Sequence, residues 1–75
     1  MNADEKVNER LNDYKEILFG LEYNNLDGVP KEEYRKIVRC ALLFSNQVIV
    51  ICTKEYRDLE LEIIKILNNK LESLK

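Results

Sequence analysis

The side chains that most often carry out chemistry are scarce in this sequence. Its 75 residues contain no histidine, so one chain cannot assemble a Ser–His or a Cys–His nucleophilic pair. The only thiols are Cys40 and Cys52. Two thiols without histidine cannot close a tetrahedral zinc site. On one continuous helix their separation is roughly 18 Å of rise, too far for a disulfide. They read as small apolar side chains of a protein kept in a reducing, cytoplasmic compartment. Glycine occurs only at positions 20 and 28, so a phosphate-cradling glycine loop is missing. The expectation is a non-enzymatic protein with no catalytic residue, no metal and no cofactor.

The remaining polar residues offer weaker signals. Asp4, Glu5, Glu9, Asp13, Glu16, Glu62 and Glu72 fall on polar helix faces, where a carboxylate keeps its ordinary acidity. Glu60 alone sits within an apolar arc, and the expected role is an edge residue with a buried stem and a hydrated head. Lys31, Arg35, Lys36 and Arg39 recur at helical spacing. They could clamp phosphates or an acidic partner, or form a solvated face in which Glu32 and Lys36 pair across one turn. Ser45, Asn46 and Gln47 interrupt the most apolar stretch. Either they hydrogen-bond across an interface and fix its register, or Asn46 and Gln47 face water while Ser45 bonds its own backbone. Tyr14 and Tyr56 lie on core arcs. Tyr23 and Tyr34 flank a loop and are better placed to anchor a partner.

These residues have to be positioned by helices. The segment Asn24–Pro30 holds Gly28 and the only proline, and it is the one clear punctuation mark. Before it, Asn2 and Glu5 have capping-box spacing. Val7, Leu11, Tyr14, Leu18 and Leu21 then alternate by four and three residues, a heptad rhythm. Within this helix Gly20 either costs about 1 kcal/mol relative to Ala or admits a close neighbour, and Phe19 is too apolar to leave in water. Asn24 or Asn25 can end the helix in a left-handed conformation. Pro30 at the first helical position, with Glu32 and Glu33 behind it, opens a second helix. From Ile37 to Cys52 that helix is apolar on nearly every side, which predicts the most buried element. It is too short to span a membrane. The run Val48–Thr53 is β-branched and favours a strand locally, yet it has no partner strand and no flanking turn. A third arc follows with Tyr56, Leu59, Ile63, Ile66, Leu67, Leu71 and Leu74. Thr53 can cap it.

The sequence therefore predicts an all-α small helical bundle, a single domain over 1–75 with helices at about 3–25, 30–52 and 54–74. It is either a three-helix bundle or a short-plus-long helical hairpin completed by a dimer partner. The polar, acidic stretch from Met1 to Glu9 does not resemble a signal peptide. A chain this short buries only about 60% of its unfolded surface, and small proteins without disulfides or metals often associate. A homodimer is expected, with Ile37, Ala41, Phe44, Val48 and Ile51 as its possible interface. Residues 1–29 carry a net −4, residues 30–57 +3 and residues 58–75 −1, for a total of −2. That balance argues against strong nucleic-acid binding. The leading functional reading is a protein–protein interaction module of regulatory or adaptor type. The alternatives are a small transcriptional regulator using the Lys31, Arg35, Lys36 and Arg39 patch on nucleic acid, and a helical immunity or toxin-neutralising protein.

Overall fold

Asn2 opens the first helix as its spacing to Glu5 foretells: its side-chain oxygen accepts the Glu5 backbone N–H at 2.8 Å. The bond satisfies one of the amide donors that a helix start leaves orphaned. In the computed structural model, which describes residues 2–74, this helix (α1) runs Ala3–Phe19. It ends six residues short of the expected boundary, because Gly20 is a terminator and not an interior residue. Gly20 has φ 59°, and its N–H donates to the Glu16 carbonyl at 2.8 Å. Glycine adopts positive φ without a Cβ penalty. No atom lies within 4 Å of where a Cβ would stand, so close approach of a neighbour is not the reason for it.

Asn25 has a different task from the one its sequence suggests. Its side chain accepts the Gly28 N–H at 3.2 Å and caps a single 3₁₀ turn, Leu26–Gly28. The second helix, α2, spans Lys31–Ile51, with Pro30 one position earlier than expected, as its N-cap. The β-branched run is helical as far as Ile51. Strand preference is a matter of fitting a pleated surface, and among the described residues there is no strand to pair with. Cys52 and Thr53 interrupt the helix, and Thr53 stands at the N-cap position of α3, Lys54–Ser73, in extended backbone and without a side-chain cap bond. Helices two and three are thus separate, and the protein is an all-α three-helix bundle in which each helix packs on the other two.

The core takes a few positions from each helix: Val7 and Leu11 from α1, Ile37, Val38 and Ala41 from α2, Ile63 and Leu67 from α3. On α1 the buried line is Ala3, Val7, Leu11 and Lys15, every fourth residue. The heptad rhythm holds through Tyr14 and then fails, with Leu18 exposed and Leu21 91% exposed. Leu21 lies past the end of the helix, and Leu18 is still within α1, where Lys15 occupies the inner position. Its stem is buried, and its Nζ donates to the Tyr23 carbonyl at 2.9 Å, strapping down the segment after Gly20. Phe19 is half-buried, edge-on to Tyr23 with ring centroids 5.7 Å apart. At the other end Arg35 donates to the Leu74 carbonyl and ties the start of α2 to the end of α3.

The stretch 37–52 supplies Ile37, Val38, Ala41 and Ser45 to the interior, but it is not covered on every side. Leu43, Phe44, Val50 and Ile51 are all exposed. A three-helix bundle gives each helix two neighbours, so an element that is apolar all round keeps one side in water.

Candidate functional site

One polar residue from each helix meets inside the bundle. Arg10 Nη1 donates to Ser45 Oγ at 2.8 Å and to Glu60 Oε2 at 2.9 Å, while Arg10 Nη2 bonds Glu60 Oε1. Glu60 and Ser45 are fully buried, which corrects two sequence expectations: Glu60 is not an edge residue, and Ser45 does not bond its own backbone. The Arg10 guanidinium carbon also stands 5.0 Å from the centroid of the Phe44 ring, within cation–π range. The hydrogen bond to Glu60 is the largest influence raising the Arg10 pKa above its ordinary value. The pairing is bidentate, so both carboxylate oxygens are engaged by one planar cation. Its chemistry is structural. It sets which turn of α1 faces which turn of α3, and leaves no buried side-chain polar atom unpartnered among the described residues.

The sequence signal for this junction was half visible. An acid within an apolar arc asks for a cation, but Arg10 lies one step off the Val7–Leu11–Tyr14 line and gives no sign of facing inward.

The second candidate is a surface. Phe44 stacks edge-on against Tyr14 with centroids 6.4 Å apart. A shallow groove of about 210 Å³ between α1 and α2 is lined by Arg10, Asp13, Tyr14, Ile17 and Phe44. A second of about 240 Å³ lies further round α2, at Arg39, Leu42, Leu43 and Asn46. At 3.6 residues per turn, Leu43, Phe44, Val50 and Ile51 fall within an arc of about 120°. Leu43 is 63%, Val50 75% and Ile51 84% exposed, and Ile17 across the groove is 71% exposed. Cys40, half-buried, lies on the same side of α2. Both cysteines are free.

Of the five residues expected at an interface, Ile37 and Ala41 are spent on the chain's own core. Val48 is half-buried. Phe44 and Ile51 remain available, and Ile17, Leu43 and Val50 join them on the surface. The basic residues are not one clamp. Arg35 is engaged with Leu74, and Lys36 lies 3.7 Å from Glu33, so its i,i+3 neighbour replaces the expected Glu32. Lys31 and Arg39 are exposed. Asn46 and Gln47 face water, as do Asp4, Glu5, Glu9, Asp13, Glu16, Glu62 and Glu72. Tyr34 packs against the core, and burial pushes its hydroxyl pKa up. Tyr56, placed on a core arc by its spacing, is exposed.

Among the described residues no group of three acidic or thiol side chains could hold a metal ion. None of their helices is long and apolar enough to cross a membrane. In comparison with known proteins, the chain matches no family model, no curated protein and no solved structure.

Proposed function

We propose that this protein is a non-enzymatic protein–protein interaction module, regulatory or adaptor in kind, that works through the α1–α2 face. One observation carries the reading: Leu43, Val50, Ile51 and Ile17, four large apolar side chains, stand mostly in water on one side of a chain that needs its apolar residues for its core. Only eight apolar residues are buried among those described. A contiguous exposed apolar patch rimmed by polar groups marks an interaction site more often than an accident of composition. The two free cysteines suit a reducing, cytoplasmic setting. The buried Arg10–Glu60–Ser45 junction supports the reading as well, since it holds α1 and α2 in one relative orientation and presents a preformed surface.

Photo-crosslinking in the cell of origin tests it. A photoreactive phenylalanine analogue at Leu43 or Ile51 is expected to yield covalent protein adducts. The same analogue at Leu61, which stands alone on the polar side of α3 and is 51% exposed, is expected to yield none. Equal yields at the three positions, or no adduct at any, would end the proposal.

A further inference from the structure

From the way residues 20–29 are held we infer that this segment is a latch. It swings away from the bundle as one unit while the three helices stay folded, and so covers or presents the amine of Lys15. The inference is independent of the α1–α2 face and of what binds there.

Lys15 stands where an apolar residue belongs. It follows Ala3, Val7 and Leu11 at four-residue steps on the inner line of α1, and it is 5% exposed. No other lysine among the described residues is buried. An ammonium has three N–H donors, and the one protein acceptor that Lys15 meets is the Tyr23 carbonyl, at 2.9 Å. Among the described residues its ammonium forms no ion pair. A covered cation bonded to a single neutral oxygen is poorly compensated for the water it has lost. Opening the segment breaks that bond but returns the ammonium to water, so the two effects offset each other. The catch is a weak one.

The rest of the segment is held as lightly. No residue from 20 to 30 is buried. Its backbone amides bond locally: Glu22 N–H to the Phe19 carbonyl, Val29 N–H to the Leu26 carbonyl and Gly28 N–H to the Asn25 side chain, each at 3.2 Å. None of these bonds reaches α2 or α3. Apolar contact comes from half-buried Leu26 and Val29 and from Tyr23 against Phe19. Few buried apolar contacts and short-range backbone bonds mark a unit that opens more easily than the whole molecule unfolds. The helices, in turn, are joined without it. Arg35 ties the start of α2 to Leu74 at the end of α3, and Arg10 ties α1 to both.

Amine labelling of the full chain with acetic anhydride, read residue by residue by mass spectrometry beside amide hydrogen exchange, is the test. Exposed Lys54 and Lys65 are the reference amines. Lys15 is expected to react about 10- to 1,000-fold more slowly than they do, the span of a local opening. That protection should stay level through low urea, where the slowest amides of α2 and α3 already lose theirs. Asn25→Ala, which removes the cap of the 3₁₀ turn, should speed Lys15 labelling about fivefold. Leu59→Ala lies in the half of α3 away from the latch; it should speed the slow amides about tenfold or more and leave Lys15 unchanged. Wild-type Lys15 that reacts as fast as Lys54, or whose protection falls with urea as steeply as that of the slow amides, overturns the inference. So does a Leu59→Ala chain in which Lys15 and the slow amides accelerate by the same factor. Should Leu59→Ala fail to fold, the urea series on the wild type decides alone.

Discussion

Arg10 shows how far a single side chain can depart from what its neighbours in sequence suggest. It is the counter-charge of a fully buried carboxylate, the donor to a buried hydroxyl and the cation over Phe44. A buried ion pair is weak evidence of stability in itself, because the desolvation of both ions offsets much of their attraction. Removing one partner is different, since it leaves the other charge stranded. Arg10→Met is therefore expected to destabilise the fold by about 3–5 kcal/mol. The double variant Arg10→Met/Glu60→Leu should recover most of that loss, because no charge then remains inside. Urea unfolding of the two variants at one protein concentration measures the difference. If the double variant is as unstable as the single one, the pair contributes real attraction beyond mutual neutralisation. The sequence showed Glu60 inside an apolar arc but could not show its cation. The contact joins residues 50 positions apart and depends on how two helices are rotated about their axes. A helical period records which face of a helix is apolar, and it is silent about one polar residue that turns inward at the margin.

Element boundaries were legible wherever a cap has its own chemistry. The Asn2 cap follows from a side-chain oxygen and the start of α2 after Pro30 from the missing proline N–H, whereas Thr53 takes the N-cap position of α3 without a side-chain bond. The end of α1 was missed, because Gly20 sits inside an apolar rhythm that continues through Leu21. A glycine can be read either as a tolerated interior residue or as a terminator, and only the sign of φ decides. That sign makes a prediction. Gly20→Ala should cost about 1–3 kcal/mol, the range for a non-glycine residue held in a sparsely populated backbone region. The cost would be conformational and not steric, since a Cβ there meets nothing within 4 Å. A synthetic chain with D-alanine at position 20 isolates the cause. A D-residue favours positive φ, so this chain should melt at or above the wild-type temperature. Equal losses with L- and D-alanine would mean that Gly20 acts through something other than its backbone angle. The strand preference of Val48–Thr53 shows the converse case. Local propensity was correctly read and then outweighed by packing, for α2 has helices on two sides and, among the described residues, no strand beside it.

At the scale of the whole molecule, the class of fold was the most legible feature, because it depends on summed periodicity and not on any one residue. The placement of the exposed face was less so. Ile37 and Ala41 are as apolar as Leu43 and Ile51, and which pair turns inward depends on where α1 and α3 settle. The outcome has a thermodynamic signature. A chain with eight buried apolar residues among those described has little core to lose, and a domain of this length is marginal alone. If copies associate through the α1–α2 face, part of the observed stability belongs to the dimer and must follow mass action. The melting temperature of the wild type is then expected to rise with protein concentration, by several degrees over a hundredfold range, since about 1 kcal/mol moves the midpoint by roughly 4–8 °C in a domain of this size. Ile51→Gln should melt lower and at a temperature independent of concentration, because Ile51 is 84% exposed in the single chain and contributes little to its own core. Leu61→Gln supplies the contrast. It removes a comparably exposed leucine from the polar side of α3, so its melting temperature should track the wild type at every concentration. Differential scanning calorimetry of the three proteins separates a surface that is merely apolar from one that is covered in the native assembly. Identical shifts for Ile51→Gln and Leu61→Gln would mean that the α1–α2 face holds no partner copy.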